Sequence, residues 1–251
     1  MKRILKLALY SVAILGMLVM LGLVQKRHEE RLCTDVRIYI ENQYNNYFIG
    51  ENDVLELINN RGHDKLIGVP ASQIDLREIE NRVLAHKFVH RAEAFKDHTG
   101  SLNVRVYQNR PIARMVSSRF PDRYVTEEGK ILPVSGRFTA RVILISGDFA
   151  ESASQSDLYE SKAGSSLLKL IKFIENDRFW KAQIAQVEMS RSGEITMYPQ
   201  VGRQIIEFGK AEDLEQKFNR LSLFYKEILP KKGWNHYSKV NVKYRKQIIC
   251  E

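Results

Sequence analysis

The chain has 251 residues and a formal net charge of +9, and 44% of its residues are hydrophobic. This length and apolar content are ordinary for two modest folded domains, and they exclude a chain too polar to build a core. Two cysteines, Cys33 and Cys250, are too few for a disulfide framework, so a small disulfide-stabilised scaffold is excluded as well.

The N-terminal segment departs from this ordinary composition. Leu7 to Val24 is an uncharged run of eighteen residues, and the apolar residues Ile4 and Leu5 extend it. At about 1.5 Å rise per residue, such a helix approaches the roughly 30 Å hydrocarbon core of a bilayer. A cleaved signal peptide would have a shorter apolar region and a small-x-small site, whereas "GLVQKRHEE" follows here. The sequence therefore predicts an uncleaved transmembrane anchor from Ile4 to Val24.

The flanking charges do not decide the orientation of this anchor, because three cations lie on each side of it. Long domains translocate largely regardless of flanking charge. We therefore expect a short cytoplasmic head at residues 1–3, and we expect residues 25–251 to lie outside the cytoplasm. This predicts a single-pass protein of the plasma membrane that contacts the lipid bilayer through its anchor.

Seven of the chain's cations lie between Lys226 and Lys246, with Glu227 as the single acid among them. A basic surface can attract nucleic acid, anionic lipid or an acidic protein. The extracytoplasmic placement argues against nucleic acid as a partner. A solvated basic face that keeps the domain soluble is the alternative.

The order strand, helix, helix, strand, strand is predicted over residues 36–110, after a charged linker at residues 25–35. Val36 to Ile40 alternates in the manner of a strand, a capping box begins a helix at Asp75, and Asp97 to Gly100 supplies a hairpin turn. This is a complete α+β unit with enough apolar residues for one core.

Residues 111–251 are predicted to form a second, mostly antiparallel β domain with two helices. One helix is expected from Asp157 to about Phe179, and a second, amphipathic helix is expected to end at Pro230. A closing strand follows in "YSKVNVKYRKQIICE". The fold class predicted for the whole chain is α+β, after an N-terminal transmembrane helix.

No pattern in the sequence supports catalysis. Ser166 and Lys169 form a Ser-x-x-Lys pair, as in the acyl-enzymes of the penicillin-binding proteins, but the companion motifs Lys-Thr-Gly and Ser-Asp-Asn do not occur. His86 and His90 are four residues apart, yet no third metal ligand accompanies them. The sequence contains no glycine-rich phosphate loop. We therefore expect no catalytic, cofactor-binding or metal-binding residues.

Four segments resemble the FtsQ/DivIB family of bacterial cell-division proteins, whose first extracytoplasmic unit is a POTRA domain. "IDLREIENRVLAHKFVHRAEAFKD" resembles the second POTRA helix and the strand after it, and "LNVRVYQNRPIARM" resembles the last POTRA strand and the Arg-x-Pro-x-Ala-like junction. "YVTEEGKILP" resembles the hairpin that opens the β domain, and "YSKVNVKYRKQI" resembles its closing strand. Together with the predicted anchor, the resemblance covers essentially the whole chain.

The resemblance implies a non-enzymatic scaffold of the division machinery, located at the septum, that links early division components to late ones. It implies binding to the small bitopic proteins FtsB and FtsL (DivIC in some bacteria), and docking of other divisome membrane proteins at the POTRA-like domain. A POTRA-containing envelope chaperone or secretion component is one alternative. An anchored serine acyl-enzyme that uses Ser166 and Lys169 is another.

The closing strand is the predicted partner-binding element. A free strand edge offers unpaired N–H and C=O groups to which a partner strand can add. We expect Val240, Val242 and Tyr244 to face the core, and the alternating polar residues to face outward and meet acids on the partner. An adjoining apolar platform is predicted on and after the preceding helix, although core packing would also explain these residues. The predicted strand comprises Val240, Asn241, Val242, Lys243, Tyr244, Arg245 and Lys246, and the platform comprises Phe224, Tyr225, Trp234 and Tyr237.

Overall fold

The structure is a computed structural model that describes residues 14–20, 31–41, 45–152, 157–245 and 247–251. The chain divides into two compact units, with the division between Gln108 and Asn109. Each unit contains both helices and strands, so the predicted α+β class is confirmed.

The first unit is a three-stranded sheet covered by two helices, in the predicted order. β1 pairs in parallel with β3, and β3 pairs with β2 in antiparallel fashion, which gives the strand order β1-β3-β2. Short 3₁₀ turns lie between the helices, at Asn60–Gly62 and Ala71–Gln73. The elements are β1 (Asp35–Glu41), α1 (Glu51–Ile58), α2 (Leu76–Leu84), β2 (Val89–Lys96) and β3 (Ser101–Gln108).

Local sequence chemistry sets the boundaries of these elements. The carboxylate of Asp75 accepts hydrogen bonds from the backbone N–H groups of Arg77 and Glu78, at 2.9 and 3.2 Å, and so caps α2 as predicted. The carboxylate of Asp97 accepts the backbone N–H groups of Thr99 and Ser101 in the turn between β2 and β3. Val54, Ile58, Ile79 and Val83 of the helices pack on Val104 and Val106 of β3 to form the core of this unit.

The second unit contains one nine-stranded sheet in the order β12-β11-β10-β9-β8-β7-β4-β5-β6. Five neighbouring pairs are antiparallel and three are parallel, so the sheet is mixed although most of its pairs are antiparallel. The strands are β4 (Pro111–Met115), β5 (Arg123–Thr126), β6 (Ile131–Pro133), β7 (Ile143–Ser146), β8 (Ile184–Met189), β9 (Ile195–Pro199), β10 (Ile205–Gly209), β11 (Lys239–Asn241) and β12 (Ile249–Cys250).

The helices of this unit bury their apolar residues in one continuous core with the sheet. Leu167, Ile171 and Ile174 from one helix, and Phe218 and Leu221 from another, belong to the same buried cluster as the central strands. The helices are α3 (Asp148–Ser152), α4 (Lys162–Asn176), α5 (Arg178–Gln183), α6 (Leu214–Leu223) and α7 (Leu229–Lys232). A 3₁₀ turn, Leu158–Glu160, precedes α4.

The bounds predicted for both long helices of the second unit are wrong. The helix expected from Asp157 to Phe179 begins only at Lys162, and it is broken at Asp177, whose carboxylate accepts the N–H groups of Phe179 and Trp180 and caps α5. The helix expected to end at Pro230 continues to Lys232. A π-helical turn, Phe224–Ile228, joins α6 to α7 and places Pro230 in the first turn of α7, where its missing N–H is tolerated.

Candidate partner-binding edge

The C-terminal segment forms two short strands rather than the single strand that was predicted. β11 ends at Asn241, and the chain bends at Tyr244 and returns as β12, which pairs with β11 in antiparallel fashion. The prediction of one continuous strand from Val240 to Lys246 is therefore wrong over its second half. Lys246 itself lies outside the described residues.

The bend has a local cause in Asn241. The side-chain oxygen of Asn241 accepts the backbone N–H of Lys243 at 2.9 Å, an Asx turn that competes with the strand ladder. Val240 and Val242 are fully buried, as expected. Tyr244 was expected to face the core, but it is 53% exposed because it follows this turn. Lys243 and Arg245 face outward, as predicted.

Among the strands that the structure describes, β12 is outermost in the sheet, so it is the edge that this segment presents. The backbone N–H groups of Lys239 and Glu251 each donate to the other residue's carbonyl oxygen, both at 3.0 Å. Because antiparallel neighbours alternate between hydrogen-bonded and non-hydrogen-bonded pairs, the next pair, Val240 and Cys250, directs its backbone groups away from the shared ladder. The N–H and C=O of Cys250 therefore point away from the sheet, on the side where a further strand would add.

A charged cleft lies between the start of α6 and the bend after β11. It has a volume of about 270 Å³. Lys217 is only 6% exposed, and its ammonium donates to the Lys210 carbonyl oxygen at 2.7 Å. Desolvation lowers the pKa of Lys217, although Glu212 and Asp213 oppose this shift. The cleft is lined by Glu194, Gly209, Lys210, Glu212, Asp213, Gln216, Lys217, Arg220, Lys243 and Arg245.

Ion pairs hold the cations of the C-terminal segment to this cleft and to the sheet. The ammonium of Lys243 lies 3.4 Å from a carboxylate oxygen of Glu194 and 3.8 Å from one of Glu207. The guanidinium of Arg245 lies 3.5 Å from Asp213, and the Arg245 side chain remains largely exposed. An exposed pair such as that of Arg245 with Asp213 contributes little to stability, so Arg245 remains able to meet an acid on another chain. The pair of Lys243 with Glu207 is less exposed, and it holds the Lys243 side chain to the sheet.

Most of the predicted apolar platform is core. Phe224 and Tyr225 are buried, because the π-helical turn directs both rings into the aromatic cluster that contains Trp180 and Phe218. Tyr237 is half-buried and packs against the same core. Trp234, which is 45% exposed, is the member of the predicted platform that presents a large apolar surface to solvent.

The predicted anchor lies mostly outside the described residues, and so do its end residues Ile4 and Val24. Residues 14–20 are described, and they are helical with exposed side chains. Among the residues that the structure describes, none of the helices combines the length and the apolar character needed to cross a bilayer.

The residues weighed for chemistry do not assemble into a site. Ser166 and Lys169 both lie on α4, where Lys169 is exposed and no hydrogen bond joins the two side chains. Within the described part of the chain, no group of three or more His, Cys, Asp or Glu side chains is placed to hold a metal ion. Cys33 and Cys250 are both free thiols.

Sequence reasoning missed three contributors to this edge: β12 itself, Glu207 and Arg220. The side chain of Glu207 accepts a hydrogen bond from the Asn241 amide at 2.6 Å, and the guanidinium of Arg220 donates to the Val242 carbonyl oxygen at 2.9 Å. These contacts join residues more than twenty positions apart, so no local sequence pattern predicts them. The apolar pair Ile248 and Ile249 was the one available signal for β12.

Comparison with known proteins covers both units. A family model described as "FtsQ/DivIB, C-terminal related" matches residues 110–251. The chain belongs to the FtsQ/DivIB family. A POTRA-like domain model matches residues 31–107. The cell division protein FtsQ of Rhodothermus marinus is 24% identical over 187 residues, which cover 72% of this chain and 67% of that protein.

FtsQ/DivIB membership implies a role in cell division, with proteins of the divisome as partners. Proteins of this family are non-enzymatic division scaffolds. The similarity to them suggests that this chain is a membrane protein of the division site.

Proposed function

We propose that this chain is a non-enzymatic divisome scaffold that binds small bitopic division proteins of the FtsB and FtsL (DivIC-like) type by adding a partner strand to β12. The observation that carries the proposal is the open edge of β12, where the N–H and C=O of Cys250 point outward. The sequence pattern predicts that the partner strand adds beside residues 240–246. In the structure β12 already pairs with β11, so we propose that the partner strand adds to β12.

Strand addition at this edge has two separable sources of free energy. Backbone hydrogen bonds supply affinity that depends little on the partner's sequence, and neighbouring side chains supply specificity. Tyr244 and Arg245 are both exposed at the bend, and we expect them to contact a strand that runs along β12. The cations around the bend favour a partner segment that carries acidic residues.

We also propose where each segment of the chain lies relative to the membrane and what each domain binds. Residues 1–3 form the cytoplasmic head and residues 4–24 cross the plasma membrane. The linker predicted at residues 25–35 is shorter than expected, because Cys33 is buried in the core of the first unit and β1 begins at Asp35. The POTRA-like domain, at residues 36–110, docks other divisome membrane proteins. The second domain, at residues 111–251, carries the binding edge and links early to late division components at the septum.

Binding by the full chain to purified FtsB- and FtsL-type proteins tests the proposal. Tyr244→Ala and Arg245→Glu are the informative changes, since both side chains are largely exposed and neither belongs to the core. We expect each to raise the Kd roughly fivefold to tenfold, which corresponds to about 1 to 1.4 kcal/mol of lost binding free energy. Lys226→Glu is the matched control, because Lys226 is exposed and forms no ion pair within the described residues.

Wild-type affinity in both Tyr244→Ala and Arg245→Glu would refute the role of the bend residues. Depletion in cells tests the broader role: filamentous cells and midcell localisation are expected. A uniform envelope distribution with normal septation would favour a POTRA chaperone or secretion component instead. Labelling of Ser166 by a β-lactam probe would favour an acyl-enzyme.

A further inference from the structure

We propose that Glu207 and Arg220 are positioning residues that hold the β11–β12 edge in the conformation that receives a partner strand. The inference rests on the proposed function, because it concerns the same edge. Neither residue lies on the C-terminal segment: Glu207 is on β10 and Arg220 is on α6. Together they hold the segment from two sides.

β12 is too short to fix its own position. It comprises Ile249 and Cys250, and its register with β11 is defined by two residue pairs and by the flanking contacts of Glu251. An isolated pair of strands is only marginally stable in water, even when it is longer than this one. The edge therefore depends on how firmly β11 and the bend at residues 242–245 are held.

The carboxylate of Glu207 contacts three side chains of the C-terminal segment. Its oxygens accept the Asn241 amide at 2.6 Å and lie 3.2 Å from the Lys239 ammonium and 3.8 Å from the Lys243 ammonium. The backbone carbonyl of Glu207 also accepts the Val242 N–H at 3.0 Å. The side chain of Glu207 is mostly buried, so its interactions are screened less by solvent than those of exposed pairs.

Arg220 holds the other side of the bend. Its guanidinium donates to the Val242 carbonyl oxygen at 2.9 Å, so both backbone polar groups of Val242 are bound by residues outside the segment. The Nε atom of Arg220 is buried and has no acceptor within the described structure. Burial of a donor without an acceptor costs free energy, and the bond to the Val242 carbonyl oxygen offsets part of this cost.

Gly209 supplies the space that this arrangement needs. Its φ of +75° favours glycine, and a Cβ atom there would lie 2.9 Å from the Cγ atom of Lys243. The Lys243 side chain therefore passes directly over the backbone of β10 on its way to Glu194 and Glu207. β10 therefore pairs with β11 through its backbone, and Gly209 at its end leaves room for the Lys243 side chain.

A pre-formed edge raises affinity because the partner then does not have to order it on binding. Loss of either positioning contact should therefore loosen β12 in the free protein and weaken strand addition to the same degree. A residue that merely stabilises the domain would change global unfolding without this local effect. The two consequences can be measured separately.

Amide hydrogen exchange on the full chain in detergent, without any partner, measures the first consequence. In Glu207→Ala and in Arg220→Met, we expect the amides of Ile249 and Glu251 to exchange roughly tenfold faster, since each change removes a charge-assisted contact. The amides of β8 and β9 should keep wild-type protection, which shows that the variants fold. Glu207→Gln keeps an acceptor for Asn241 and should recover part of the protection.

Matched controls are Glu215→Ala and Arg203→Met, because both side chains are exposed and neither forms an ion pair or hydrogen bond within the described residues. They should leave the exchange of β12 unchanged. Wild-type exchange rates in both Glu207→Ala and Arg220→Met would overturn the inference. So would a uniform increase across β8, β9 and β12, because it would show a global rather than a local effect.

Affinity for the purified extracytoplasmic segment of an FtsB-type protein measures the second consequence. We expect Kd to rise roughly fivefold to tenfold in Glu207→Ala and in Arg220→Met, in parallel with the exchange rates. Faster exchange at unchanged affinity would overturn the positioning role. If the wild-type chain does not bind this probe, both the proposed function and the positioning role are wrong. If the wild-type chain binds and the variants bind equally well, only the positioning role is wrong.

Discussion

Replacement of Lys217 separates the contribution of its buried stem from that of its buried charge. The ammonium makes one hydrogen bond, to the Lys210 carbonyl oxygen, and lies 4.7 Å from the centre of the Phe208 ring. Lys217→Met removes both interactions, but it also removes the cost of desolvating the charge, and methionine fills a similar volume. We expect the free energy of unfolding to stay within about 1 kcal/mol of wild type, as is common when a buried charge is replaced by an apolar side chain.

Lys217→Ala gives the contrasting result. It removes three buried methylene groups in addition to the charge, and at about 0.8 kcal/mol for each methylene the loss should be about 2 kcal/mol or more. Urea unfolding of the full chain in detergent, followed by tryptophan fluorescence, measures both variants. Trp180 and Trp234, the two tryptophans of the chain, lie in the second unit together with Lys217.

The pH dependence provides an independent test of the same charge. Burial lowers the pKa of Lys217 in the folded protein, so the unfolded chain binds this proton more tightly. The free energy of unfolding of wild type should therefore rise as the pH increases from the lowered pKa towards about 10.4, and this rise should be absent in Lys217→Met. A loss in Lys217→Met as large as in Lys217→Ala, or the same alkaline rise in Lys217→Met, would refute the reasoning.

Two further predictions concern the second unit. Gly147 has a φ of +91°, and a Cβ atom there would lie 2.7 Å from the Met189 carbonyl oxygen, so Gly147→Ala should lower the free energy of unfolding by about 1–3 kcal/mol in urea titrations. Gly136→Ala, with open space around it, is the control, and an equal effect of both would contradict the steric argument. The Ser117 hydroxyl, with the backbone N–H of Ser118, lowers the pKa of Glu151 to about 2. The stability from this group is complete above the unfolded pKa of about 4.3 and is lost as the pH falls towards 2, so Glu151→Gln should flatten the acid unfolding profile there, and an unchanged profile would contradict it.

The elements that sequence reasoning predicted well are those determined by neighbouring residues. The cap at Asp75 and the turn from Asp97 to Gly100 involve partners within four positions, and both occur as expected. The alternation around Val240 and Val242 predicted their burial correctly. Such features depend on period and on short-range hydrogen bonds, which a sequence displays directly.

The features that were missed depend on competition between equally plausible local structures. The helical pattern around Asp177 predicts one continuous helix, whereas the Asp177 side chain caps a new helix. The alternation around Asn241 predicts an outward-facing strand residue, whereas the Asn241 side chain forms a turn after which Tyr244 is exposed. The contacts of Glu207 and Arg220 with the C-terminal segment form only when distant elements pack together. The residues that support the edge can therefore be identified only from the three-dimensional structure.

The measurement that tests the central claim most directly is partner binding by Cys250→Pro, compared with Cys250→Ala. The N–H of Cys250 points away from β11, so proline there leaves the β11–β12 ladder intact while it removes the donor that a partner strand needs. Alanine keeps this N–H and serves as the control for the lost side chain. We predict that Cys250→Pro raises the Kd for an FtsB-type partner at least tenfold, through the lost hydrogen bond and the bulk of the ring at the edge, while Cys250→Ala stays within about twofold of wild type. Equal affinity of the two variants would contradict strand addition at β12.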